Sequence, residues 1–221
     1  MSWTEHPIHF LDFEGSRASG VLEYGVAVLR GGIIVETQTR ICGATGRVTE
    51  ADAAVHGLRE PDVAAAPPFA DEWDRFADLR ERGPFAAHYA GVENALLKAA
   101  WPYPRTSPDF ARPGETVIEW GPWIDTAALY RQLYPTVGTG RLDALVAAAG
   151  AQEELDALAA RHCPPARRRY HAALYDALAG ALLLAVLGRD PAVAVLSLPQ
   201  LLALSAMDPE RRDDLLQREL F

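Results

Sequence analysis

The sequence predicts one α/β domain: a mixed central sheet of three antiparallel N-terminal strands and later parallel additions, flanked by helices. Three observations support this. Apolar, β-rich runs open the chain and meet at a glycine pair. Strand-like and helix-like segments then alternate. The longest apolar run sits late, inside a helical pattern. A length of 221 residues suits one such domain. A chain of this size buries roughly 70–75% of its unfolded surface and needs neither disulfide nor structural metal to fold.

Residues 8–14 read as a strand, and the two β-rich runs within 21–42 read as a hairpin closed at Gly31-Gly32. Residues 49–58 read as a short helix with Thr49 as N-cap and Gly57 as its stop. After Pro67-Pro68, the residues Phe69, Trp73, Phe76 and Leu79 recur at helical spacing over 69–83. Residues 84–90 read as a strand and 92–101 as a helix. Residues 102–123, rich in Pro and Gly, read as an inserted loop with a short strand at 116–120. Its Trp120 and Trp123 either stack nucleic-acid bases or pack the loop onto the core, and packing is favoured. Helices follow near 125–134, 141–149 and 151–162; a basic turn, 163–169, leads into a long helix at about 171–187. Two helical pieces, 197–206 and 208–220, close the sequence.

Thirty acidic against 21 basic residues give a net charge of −9. That excludes a protein that coats nucleic acid through bulk charge, but not one that holds a single end in a local groove. Cys42 and Cys163 form no CxxC pair, so zinc-ribbon and thioredoxin-type chemistry has no support and the cytoplasm is the expected compartment. The opening residues lack a basic patch followed by an apolar run, so no secretory leader is expected. The apolar run 177–188 is too short to span a bilayer, and no membrane partner is expected.

The stretch "IHFLDFEGS" places Asp12 and Glu14 two residues apart in an apolar strand. Residues i and i+2 of a strand share a face, so the two carboxylates stand side by side. Either they line an edge strand in water, or divalent ions compensate their buried charge. Hard oxygen ligands of this kind suit Mg²⁺ or Mn²⁺. His171 precedes Asp176 by five residues. On a straight helix these would lie about 140° apart, so His171 can cover a site supported by Asp176 only from the turn before the helix. Glu93 opens a helix just after a strand.

Three segments resemble, in order, the three motifs of the DEDDh class of 3′–5′ exonucleases, a proofreading-exonuclease superfamily with a ribonuclease-H-like fold. "LDFEGS" resembles D-x-E, "AHYAGVENALL" resembles A-H-N-A-x-F-D, and "YHAALYDA" resembles H-x-A-x-x-D-A. "VTEADAAVHGL", "IDTAALYRQLYP" and "RLDALVAAAG" are similar to connecting segments of the same class, so the resemblance covers about residues 8–187. It implies that Asp12, Glu14, Glu93 and Asp176 hold two divalent ions, Mg²⁺ or Mn²⁺, and that His171 is the general base. It also implies substrate contacts from Gly15, Ser16, His56 and His88. His56 reads equally as a surface residue ending its helix. Arg167, Arg168 and Arg169 form a basic cluster that reads either as phosphate contacts, which its position favours, or as a solvated turn.

The sequence departs from the pattern in three places. Glu93 stands where the class has Asp, which moves the carboxylate by about 1.5 Å. Tyr89 and Val92 replace Asn and Phe, and Gly15-Ser16-Arg17 replaces Thr-Thr-Gly. The expected function is metal-dependent 3′–5′ hydrolysis of phosphodiester bonds at single-stranded 3′ ends of DNA or RNA, releasing nucleoside monophosphates. The alternative is a catalytically weakened relative acting as a nucleic-acid- or clamp-binding module. Residues 1–190 are assigned to the exonuclease domain and 191–221 to a C-terminal helical extension packed on it or trailing it. The terminal Gln217-x-x-Leu220-Phe221 either resembles the peptide by which bacterial replication proteins dock on the sliding clamp, or caps the last helix.

Overall fold

Gly31 and Gly32 both take positive φ, 61° and 76°, the backbone a two-residue hairpin turn demands. They join β2 (Gly20–Arg30) to β3 (Ile33–Ile41), and β2 pairs antiparallel with β1 (Ile8–Ser16) from Ile8↔Leu29 to Glu14↔Glu23. The computed structural model describes residues 2–138 and 140–206, so the helical piece expected over 208–220 and the tail Gln217–Phe221 lie outside the described residues.

After β3 come α1 (Glu50–His56), α2 (Glu60–Val63), α3 (Trp73–Arg82), β4 (Phe85–Ala87) and α4 (Ala90–Ala100). Thr49 caps α1 through the Asp52 N–H, and Gly57, at φ 76°, stops it. The expected helix over 69–83 begins as a 3₁₀ turn, Phe69–Glu72, and becomes α-helical at Trp73. The inserted segment carries a two-strand ladder, β5 (Ser107–Pro108) with β6 (Thr116–Val117), and then β7 (Trp123–Asp125). The chain continues through α5 (Thr126–Leu133), α6 (Leu142–Ala148), α7 (Gln152–His162), α8 (Ala173–Leu187), α9 (Pro191–Ala194) and α10 (Leu198–Ser205).

The main sheet has the order β3-β2-β1-β4-β7, with β4 parallel to β1 and β7 parallel to β4. Three antiparallel strands followed by parallel additions, flanked by helices, is the expected ribonuclease-H-like arrangement. β7 was not expected: only three residues long, it falls where the sequence reads as the end of a loop and the start of a helix. Its Asp125 explains both readings. The Asp125 carboxylate accepts N–H groups of Ala127 (2.9 Å) and Ala128 (3.2 Å) at the head of α5, and of Tyr89 (3.3 Å) and Ala90 (3.1 Å) at the head of α4. One side chain therefore satisfies the orphan donors of two helices.

The alternating faces of β1 divide the core. Ile8 and Phe10 pack with Ala27, Leu29 and α8 on one face; Leu11 and Phe13 pack with Phe76, Leu97 and Trp101 on the other. Fourteen of the 15 residues of α8 are buried, as a sequence apolar nearly all round, with Asp176 its one charge, requires. Two glycines allow the contact. A Cβ on Gly25 would stand 2.3 Å from the Ala173 and Leu174 backbone, and one on Gly180 would stand 2.1 Å from the Phe10 ring. Trp120 and Trp123 pack against Phe85, so the favoured packing reading holds for both.

Arg80, fully buried, holds the inserted segment. Its guanidinium donates to the carbonyls of Pro108 (3.0 Å), Trp120 (3.1 Å) and Gly121 (2.7 Å). Removing it strands three acceptors, one on the buried Trp120 and one on the half-buried Gly121, so Arg80→Leu should destabilise the protein by about 3 kcal/mol in urea unfolding. A change within about 0.5 kcal/mol, the range of ordinary surface substitutions, would show that these bonds hold nothing.

His9 is buried edge-on against Phe85, and neither ring nitrogen has a hydrogen-bond partner among the described residues. Burial, with the Arg82 charge nearby, pushes its pKa down to about 3. The unfolded chain protonates first, near its ordinary pKa of about 6.5, so this contribution to stability is lost as pH falls below that value. The stability difference between the wild type and His9→Leu should shift by up to about 1.4 kcal/mol per pH unit between pH 6 and 4. Parallel pH curves for the two proteins would refute the assignment.

Candidate active site

Asp12 and Glu14 extend the β1 face that carries Ile8 and Phe10, and so point towards α8. Phe10 meets Gly180, and one turn earlier on α8 stands Asp176. The close approach at Gly25, the ladder partner of Asp12, thus brings the first turn of α8 onto the acidic end of β1. β4 pairs with β1 only at His9 and Phe10. Beyond that point β1 N–H groups on the β4 side lack a strand partner, and Glu93 Oε2 accepts the Phe13 N–H at 2.9 Å. The longer side chain of Glu93 is therefore matched to a backbone bond between the two acids of the first motif.

His171 precedes α8, as the five-residue spacing required. Its φ of 60° is left-handed; Tyr89, at φ 62°, is the other non-glycine with positive φ among the described residues. Both stand at the mouth of the same cleft, where strained backbone tends to collect. His171 N–H donates to Asp176 Oδ2 at 3.0 Å. Ligand atoms of Glu14, His171 and Asp176 lie within 4.8 Å of one another. The cleft, about 490 Å³, is also lined by Asp12, Glu93, His88, Tyr89, Arg141 and Tyr170. The structure thus brings together all five residues expected to act in catalysis.

The remaining expected residues are placed differently. Gly15 and Ser16 lie in the bulge and turn ending β1, where Ser16 N–H donates to Ser19 Oγ. His88 is fixed by its neighbours: Nε2 donates to the Gly140 carbonyl at 2.7 Å and Nδ1 meets the Thr126 hydroxyl at 2.9 Å. His56 is buried, its Nδ1 accepting the Leu58 N–H, so it is not the surface residue the sequence allowed. All three arginines of the basic cluster bond to the protein. Arg167 pairs with Glu23, Arg168 donates to the carbonyls of Ala160 and Cys163, and Arg169 donates to the His56 carbonyl. Arg167 is thereby drawn into the protein, while Arg168 and Arg169 stay exposed at the turn. Sequence reasoning passed over Glu23, the ladder partner of Glu14, although an acid inside the apolar run "VLEYGV" is the same signal that marks Asp12.

These acids repel one another. Burial, reinforced by Asp176 and Glu23, raises the Glu14 pKa to about 8. Burial also raises Glu93 to about 8, against the Phe13 N–H, and Asp176 to about 7, against the His171 N–H. Its desolvated setting and the charges of Glu93, Asp176 and Glu14 hold Asp12 well above the usual carboxylate range. Asp176 Oδ1 is buried and has no hydrogen-bond partner among the described residues. Oxygen donors in excess of internal donors, with one buried lone pair unused, fit hard divalent cations.

The fold matches solved structures at low sequence identity. One is exonuclease X in complex with 5′-overhanging duplex DNA (TM-score 0.62, 19% identity, covering 88% of this chain and 99% of that one). Another is the nuclease domain of 3′hExo, a DEDDh family member, bound to rAMP (TM-score 0.62, 14% identity, 87% and 96%). A third is a moderately thermophilic exonuclease I from Methylocaldum szegediense (TM-score 0.62, 15% identity, 96% of this chain and 45% of that one). No protein-family model and no curated protein matches the sequence. The chain therefore has the ribonuclease-H-like fold that the DEDDh exonucleases carry. No helix among the described residues is long and apolar enough to cross a membrane.

Acids whose folded pKa is raised hold extra protons in the folded state. Their contribution to stability is lost as pH rises from about 4.5, the ordinary carboxylate value, towards the values near 8 and 7 of Glu14 and Asp176. Divalent cations held by these acids would offset that loss, so saturating Mn²⁺ should raise Tm by several degrees and by more at pH 8 than at pH 6. Asp176→Asn should shrink the gain. An equal gain at both pH values would contradict the coupling.

Proposed function

We propose that the protein is a divalent-metal-dependent 3′–5′ exonuclease acting on single-stranded 3′ ends of DNA or RNA and releasing nucleoside monophosphates. The observation that carries this reading is the convergence of four mutually repelling acids and a histidine in one cleft. The fold likeness to a DNA-bound exonuclease X and an rAMP-bound 3′hExo nuclease domain supports the substrate class.

Asp12, Glu14, Asp176 and Glu93 would hold two ions, Mg²⁺ or Mn²⁺, and such ions lower the pKa of water and neutralise charge on the phosphate. The chain's own residues supply the rest. His171, exposed at the cleft mouth, accepts the proton of the attacking water at a ring nitrogen. Asp176 fixes the direction of that ring's backbone through the His171 N–H. Tyr89 and Tyr170 offer aromatic walls to the terminal nucleotide, and His88, with both nitrogens engaged, stiffens the wall behind Tyr89. Retention of all five groups in one place favours an enzyme over a binding-only relative. The two free cysteines, both buried, accord with a cytoplasmic protein. Clamp docking through Gln217–Phe221 rests on sequence resemblance alone; deleting 217–221 should leave hydrolysis of short oligonucleotides unchanged.

The test is shortening of 5′-labelled single-stranded DNA and RNA with Mg²⁺ or Mn²⁺. A ladder receding from the 3′ end is expected, abolished by EDTA and reduced about 10³-fold or more in Asp12→Ala. His171→Asn should lose about 10²–10⁴-fold. Glu93→Asp draws its carboxylate about 1.5 Å away from the Phe13 N–H and should slow the reaction about 10- to 100-fold rather than speed it. No shortening of either substrate by folded protein with saturating metal would overturn the enzyme reading.

A further inference from the structure

We propose that Arg167, held by Glu23, is the positioning residue that aims His171 into the cleft; this rests on the nuclease reading above, in which His171 is the base. The basic cluster was expected to meet substrate phosphate, but Arg167 spends its donors inside the protein. Nε donates to Glu23 Oε1 at 3.1 Å and Nη2 to Glu23 Oε2; Nη1 donates to the His56 carbonyl at 2.7 Å and Nη2 to the His171 carbonyl at 3.3 Å. The two side chains are only 13% and 3% exposed.

His171 is thereby gripped from three directions. Its own N–H goes to Asp176, its carbonyl receives Arg167, and the N–H of Ala173 donates to Glu23 Oε2 at 3.1 Å. A non-glycine at φ 60° carries roughly 1–3 kcal/mol of strain and persists only where its surroundings over-determine it. These three bonds supply that over-determination. The planar fork of arginine reaches a carboxylate and two carbonyls at fixed angles, which a lysine ammonium does not reproduce. A buried ion pair is weak evidence of stability, since apolar groups of equal volume pack as well. What this pair adds is direction. Glu23 is also the ladder partner of Glu14, so the anchor of the base and an acid of the proposed metal site share one β1–β2 register.

The test is a double-mutant cycle against His171→Asn. Glu23→Gln/Arg167→Gln removes both charges without leaving either buried alone; Arg167→Lys keeps the charge pair but not the fork. Both should fold and titrate Mn²⁺ like the wild type. The paired variant should lose about 10²-fold in kcat with KM within about threefold, and Arg167→Lys about tenfold. In the His171→Asn background each loss should fall to within about twofold, because the residue acts through the base. Hydrogen exchange of the amides of His171 and Ala173 should quicken at least about tenfold in the paired variant. Equal losses in both backgrounds, or undiminished protection of those amides, would overturn the proposal. An inactive wild type that binds Mn²⁺ would sink the nuclease reading instead and leave amide exchange to judge the tie.

Discussion

Five carboxylates, Asp12, Glu14, Glu23, Glu93 and Asp176, meet at one end of the sheet, and among the described residues one guanidinium, Arg167, is in salt-bridge contact with them. Everything around the cleft is an answer to that imbalance. The Phe13 and His171 N–H groups each neutralise part of one acid. Burial first, and then the unresolved repulsion, hold Asp12, Glu14, Glu93 and Asp176 above the ordinary carboxylate range, and an external cation fits there. A fold selected for stability alone would not gather like charges under a buried helix.

The positions of those charges are set by backbone constraints some distance away. Asp125 joins the heads of α4 and α5, so the end of β7 fixes where α4 begins and hence where Glu93 reaches β1. The Glu23–Arg167 pair does the same for the turn before α8. Tyr89 and His171 are the two points where the chain bends into left-handed backbone to deliver a helix to the cleft, and each is bound by a buried carboxylate.

Much of this was legible in the sequence. The hairpin at Gly31-Gly32, the Thr49 and Gly57 caps and the buried apolar helix follow from local chemistry, and the fold class follows from their order. The acids of the three motif-like segments were visible as charges in apolar runs or at helix starts. β7 was not, because three residues carry too little periodicity and Asp125 reads as a helix cap, which it also is. The fate of Arg167 was hidden for another reason. A run of arginines looks the same whether it faces solvent, substrate or a buried glutamate, and only the pairing of Glu23 against Glu14 shows which.

The missing side chain at Gly25 has a consequence for how the protein tolerates change. Backbone of α8 lies where any larger residue would stand, opposite Asp12. Lifting that helix to make room would part Asp176 from Asp12 and Glu14 in the same movement. Core packing and the spacing of the acids are one contact at this point, so seating the helix and setting that spacing are the same event. Drift at this position is barred twice over, once by the core and once by the acids that the core brings together.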